Sequence, residues 1–134
     1  MSFLSWFQKK PKTPYDELGG AKGLQQLVTH FYQVMDTDPK AHECRALHGP
    51  DLTNAQEKLF DFLSGWLGGP PLFEQKHGHP RLRMRHFPFA IGERERDQWL
   101  YCMGEAFKRN GVKEELQEKI MRALSELAER VRNQ

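Results

Sequence analysis

Long hydrophobic runs are missing from this 134-residue chain. Its apolar stretches span a few residues, far short of the roughly twenty that cross a bilayer, so no stable membrane insertion is expected. The N-terminus also lacks the apolar core of a signal peptide. Cysteine is scarce: Cys44 and Cys102 stand far apart, in neither a disulfide framework nor a Cys-x-x-Cys spacing, which points to a reducing, cytoplasmic setting. An excess of one charge sign is missing as well. The formal net charge is +2, with Lys and Arg interspersed among Asp and Glu, so no nucleic-acid footprint is present. Alternating strand patterns are absent too. What remains, 38% hydrophobic and 28% charged, is ordinary for one globular domain of a size that buries a core.

The apolar residues that are present recur at helical spacing. Thr13-Pro14 supplies an N-cap and a first-turn proline for a short helix that stops at Gly19-Gly20. Leu24, Leu27, Val28, Phe31, Tyr32 and Met35 mark one face of a helix over about 22–36. Asp38-Pro39 opens a short helical piece reaching Leu47, and His48-Gly49-Pro50 reads as a turn. Thr53 to Gln56 fits a capping box, and Ala55, Leu59, Phe62, Leu63, Trp66 and Leu67 then line a helical face up to Gly68-Gly69-Pro70. Residues 70–78 read as a loop. Trp99, Leu100, Met103, Ala106 and Phe107 form the next face, ended by Asn110-Gly111. In the last helix, about 113–132, Leu116, Ile120, Ala123, Leu124, Leu127 and Val131 point inward. The expectation is an all-α domain over 13–134. Residues 1–12, with Phe3, Leu4, Trp6 and Phe7 beside Lys9, Lys10 and Lys12, read as an N-terminal extension that either packs on the domain or lies weakly on a membrane surface.

The chemistry concentrates between His77 and Met103. His86 ends a helix-sized segment opened by Pro80 and closed by Pro88, with Leu82, Met84, Phe87, Phe89 and Ile91 as apolar neighbours in sequence. A neutral imidazole facing an apolar slot is how a protein holds haem iron from one side. The plain alternative is a core histidine with its hydrogen bonds satisfied. A zinc site from His77, His79 and His86 is a weaker reading, because Pro80 interrupts the segment and no carboxylate stands at motif spacing. His79 reads as the cap of the short helix, and His30 and His42 as surface residues.

The runs Leu67-Gly68-Gly69-Pro70-Pro71, His77 to His86, and Arg96-Asp97-Gln98-Trp99-Leu100 occur together with Tyr15 to Gly20 and Phe31-Tyr32 upstream. Taken in that order they resemble the truncated haemoglobins of the second group, and the likeness covers nearly the whole chain beyond the first dozen residues. The resemblance implies a two-over-two helical sandwich around one b-type haem. It makes His86 the proximal iron ligand and places Tyr32, Trp99 and His48 on the side where a gas binds. Each has a plainer alternative: Tyr32 bonded to a backbone carbonyl, Trp99 as core packing, and His48 as a packing partner, since relatives often carry Phe or Tyr there. Phe31, Ala55, Leu59, Phe62, Leu82, Phe89, Ile91 and Met103 are expected in the haem pocket. Arg83 and Arg85 suit the haem propionates, or else form a solvated basic face.

The implied function is reversible binding of O2, with CO and NO as further diatomic ligands, in an oxygen-transport-like role. A haem enzyme for NO dioxygenation or peroxide reduction served by a reductase, and a cofactor-free helical interaction module, are the alternatives. Monomer and dimer both remain open.

Overall fold

The computed structural model describes residues 12–134. The expected extension, residues 1–12, therefore lies outside the described residues except for Lys12. Helices account for nearly all of the regular structure. They are α1 (Pro14–Glu17), α2 (Gly20–Thr37), α3 (His42–Ala46), α4 (Thr53–Trp66), α5 (Leu72–His77), α6 (Leu82–His86), α7 (Glu93–Arg109) and α8 (Glu114–Val131), with a 3-10 turn at Pro39–Ala41 before α3. No strand occurs among the described residues.

The stripe read on α2 is the spine of the core. Leu24, Leu27, Val28, Phe31, Tyr32 and Met35 are all buried, and α2 packs most extensively on α7, then on α4. Helix α7 packs in turn on α8. Two layers result, α2 with α4 and α7 with α8, as the two-over-two expectation requires. Phe31 and Phe107, exposed by no more than 1%, each contribute roughly 1.5–3 kcal/mol through burial.

Local signals account for some of the helix ends. The Asp16 N–H donates to Thr13 Oγ1 at 3.1 Å while the Thr13 N–H donates to Asp16 Oδ2 at 3.3 Å, a reciprocal cap for α1. The box expected at Thr53 to Gln56 does not form. Instead the Asp51 carboxylate accepts from the Thr53 N–H at 2.9 Å, so the cap comes from an earlier residue that also draws on the helix dipole.

Two further expectations are corrected. Residues 70–78, read as a loop, contain α5. A six-residue helix is not stable alone; it forms because Phe73 is buried against Phe62 and the Lys76 ammonium reaches Asp61 on α4. Ala123, read as inward, is exposed, because the buried stripe of α8 runs through Ile120 and Leu124.

Candidate haem site

The segment bearing His86 is set up by an unusual backbone. Arg81 adopts φ 45°, the one positive φ outside glycine among the described residues, and its N–H donates to His79 Nδ1 at 3.0 Å. His79 thus holds the turn that starts α6. The helix is five residues long and ends at His86, and the Phe89 N–H then donates to the His86 carbonyl at 3.0 Å.

The His86 imidazole is half-buried, with Nδ1 2.7 Å from the Leu82 carbonyl oxygen. A carbonyl only accepts, so Nδ1 carries a hydrogen, which in the neutral ring leaves the lone pair on Nε2. Not all of the sequence neighbours of His86 surround it. Met84 and Phe87 are 57% and 71% exposed, because positions two before and one after point elsewhere on a helix. Leu82, one turn back, faces the same way as His86.

A cavity of about 640 Å³ opens beside them, within the usual range for ligand pockets. Leu82, Arg85, His86, Phe89 and Ile91 line one part of it. Tyr32, His48 and Trp99 line another, as do Ala55, Leu59 and Phe62 of α4. Phe31 and Met103 do not reach the lining; both are fully buried. Phe31 lies behind Tyr32 and Trp99, edge-on to both with centroids 4.8 and 5.1 Å apart, and so fixes the two rings relative to each other. His48 stands edge-on to Tyr32 at 6.0 Å. Arg83 is also off the lining, its guanidinium donating to the Arg130 carbonyl at 3.0 Å.

The polar groups in the cavity differ in how committed they are. The Tyr32 hydroxyl donates to the Ala55 carbonyl at 3.2 Å, and burial pushes its pKa well above the usual phenol value. It stays protonated. His48 Nδ1 lies 3.0 Å from the Cys44 carbonyl, and burial lowers its pKa, so the ring is held neutral with its other nitrogen an acceptor. Among the described residues the Trp99 indole N–H has no hydrogen-bond partner, although the residue lines the cavity. Burial also pushes the Cys44 thiol up to about 12.

Several lining residues escaped sequence reasoning. Lys58 and Arg96 add two cations, and Leu124, Leu127, Ala128 and Val131 show that α8 closes the cavity. The signal was spacing: Lys58 falls three after Ala55 and four before Phe62, and Arg96 three before Trp99. Arg85 lines the cavity with its Nε donating to the Pro80 carbonyl at 2.6 Å and its guanidinium carbon 5.2 Å from the Phe73 ring centroid. His77, His79 and His86 make separate contacts, and among the described residues no group of three or more His, Cys, Asp or Glu is arranged to hold a metal ion. His42 is exposed, whereas His30 is half-buried with an unpartnered Nδ1.

A helical sandwich with a largely apolar cavity lined by His86 is matched by the profile of the bacterial-like globins over residues 13–133. The chain belongs to that family. The group 2 truncated hemoglobin YjbI of Bacillus subtilis (strain 168) is 38% identical over 121 residues, 90% of this chain and 89% of that protein. Among solved structures, the group II 2-on-2 hemoglobin of Agrobacterium tumefaciens superposes with a TM-score of 0.91 at 42% identity, covering 95% of this chain and 98% of that one. A truncated oxygen-avid haemoglobin from Bacillus subtilis gives 0.82 at 37% identity, covering 91% and 100%. Globin membership implies a haem. The residues fit one: an apolar cavity of ligand size, an imidazole with a free lone pair in its lining, and cations on the same lining. Among the described residues no helix is long and apolar enough to cross a membrane.

Proposed function

We propose that this globin holds one b-type haem through His86 Nε2 and reversibly binds a diatomic gas, O2 before CO and NO, beside Trp99 and Tyr32. The observation that carries the reading is the bond from His86 Nδ1 to the Leu82 carbonyl, which leaves Nε2 free as a ligand and raises its basicity. Haem, when bound, supplies an iron with an open position for the gas.

The chain's own contribution is orientation, dryness and polarity. Arg85 and Lys58 offer cations to the propionate carboxylates; Arg83, tied to Arg130, and Arg96, paired with Asp97 and Glu129, are further from that task. Leu59, Phe62 and Ile91 give the lining an apolar surface, and the drier the cavity, the stronger each hydrogen bond inside. A polarised gas carries negative charge and needs donors. Trp99 has an uncommitted N–H, and Tyr32 has a hydroxyl that must leave Ala55 to serve. His48 accepts in its neutral form, so its part is packing and polarity. The oxygen avidity named for the Bacillus subtilis relative supports O2 as the gas. A cytoplasmic setting, with a reductase that keeps the iron ferrous, belongs to the same proposal.

Absorbance spectra of the purified protein test it. The expected result is one haem per chain, with reversible spectral changes on adding O2 or CO to the ferrous form. His86→Ala should lose the five-coordinate ferrous spectrum. A protein that takes up no haem on titration, or an Ala variant with an unchanged spectrum, rejects the assignment.

A further inference from the structure

Beyond α8, one side chain is bonded entirely to the turn after His86. The Asn133 carboxamide donates from Nδ2 to the Phe89 carbonyl at 2.8 Å and to the His86 carbonyl at 3.4 Å, while its Oδ1 accepts from the Ile91 N–H at 2.9 Å. The backbone reinforces it. The N–H groups of Asn133 and Gln134 both donate to the Ile91 carbonyl, at 2.9 and 3.1 Å.

We infer that Asn133 is a positioning residue for His86: it clasps residues 86–91 from the end of α8 and sets where the imidazole sits. The inference rests on haem binding through His86. An amide offers two donors and an acceptor on a short stem, and the turn presents two carbonyls and one N–H to match. A carboxylate of the same shape offers acceptors only. The turn needs such a clasp because α6 is five residues long, too short to hold itself, and Phe87 beyond it stands in solvent. Few other ties are available. Arg83 to the Arg130 carbonyl is a second tie between α6 and α8, and it anchors the start of the segment while Asn133 anchors its end. Phe89 and Ile91 line the cavity on one side of the clasp and Val131 on the other, so the bonds join two parts of one wall.

The test uses the haem-loaded protein and compares Asn133→Asp, Asn133→Ala and, as a control, Ser125→Ala, whose hydroxyl bonds only the Met121 carbonyl on an exposed part of α8. Three quantities are read: haem transfer to a haem-scavenging apoprotein, the iron–histidine stretching band of the ferrous ligand-free state, and amide exchange at Ile91. Both Asn133 variants should lose haem at least tenfold faster, with a shifted or broadened band and faster Ile91 exchange. Ser125→Ala should match the parent. If Asn133→Ala does not fold, Asn133→Asp, which keeps the Oδ1 acceptor, carries the test. Haem loss within twofold of the parent and an unmoved band overturn the proposal. So does faster Ile91 exchange with an unmoved band, which makes Asn133 merely structural. A parent protein that takes up no haem overturns the functional reading and the clasp with it, whereas a normal parent with unaffected variants overturns the clasp alone.

Discussion

The Tyr101 hydroxyl donates to the Asp38 carboxylate at 2.5 Å, joining α7 to the turn after α2 across 63 positions of sequence. That bond first, and then the Lys40 N–H at 2.9 Å, holds the Asp38 carboxyl below the usual carboxylate range. Tyr101 is pushed up to about 12 by the same contact. A carboxyl depressed by folding contributes stability that is present above its unfolded pKa, about 3.9, and is lost as pH falls through its lower folded value. Tyr101→Phe should therefore lower the melting temperature at neutral pH, with the gap to the parent closing under strong acid. Melting curves from about pH 7 to about pH 2 check this. A gap that stays constant assigns the loss to ring packing and not to the carboxylate.

Asp61 is 3% exposed, and Lys76 reaches it from α5 at 2.9 Å. Removing the lysine strands a charge in the core, whereas removing both charges does not. Lys76→Met should therefore destabilise more than the double variant Asp61→Asn/Lys76→Met. Urea denaturation of the parent, Lys76→Met and the double variant gives the order, and a double variant that loses as much as Lys76→Met or more contradicts it.

Gly23 and Gly104 lie within helices, where alanine is ordinarily better by about 1 kcal/mol. Gly23 inverts that rule. A Cβ there collides with the Leu18 carbonyl, a backbone atom that cannot swing aside, so Gly23→Ala should destabilise by about 1–3 kcal/mol. At Gly104 a Cβ meets nothing within 4 Å, and Gly104→Ala should stabilise by roughly 0.5–1 kcal/mol. Equal effects at both positions, read from chemical denaturation, reject the steric account.

The long helices were legible because each carries one buried stripe at helical spacing, as Leu24 through Met35 does on α2. Helix α5 was not, since its six residues are too few for a period to show and its partners, Phe62 and Asp61, lie on α4. The site divides the same way. His86, Tyr32 and Trp99 stood out by residue type, flanking prolines and resemblance to a family. The exposure of Phe87, the tie of Arg83 to Arg130 and the reach of Asn133 to His86 depend on how α8 lies against α6, which local patterning does not encode. Lys58 and Arg96 were readable from spacing alone, but charged residues on a helix are usually solvated, and that prior hid them.

In the proposed O2 site Trp99 and Tyr32 differ in what their donors must give up, and this orders the effects expected on O2 release. A hydrogen bond to a charged acceptor contributes about 1.5–3 kcal/mol, and about 1.4 kcal/mol is a tenfold change in an equilibrium constant. The Trp99 N–H has no competing partner among the described residues, so Trp99→Phe should speed O2 dissociation roughly tenfold to a hundredfold. Tyr32 must exchange its bond to the Ala55 carbonyl for one to the gas, and the lost bond offsets part of the gain. Tyr32→Phe should therefore have the smaller effect. CO, which gathers less charge, should respond weakly to both substitutions. Because Phe31 braces both rings, the double variant should not be additive. Stopped-flow dissociation of O2 and CO from the four proteins decides the matter. Rates that rise together for both gases indicate a steric role for the rings, and a larger effect at Tyr32 than at Trp99 means that the tyrosine hydroxyl abandons Ala55 and is the principal donor.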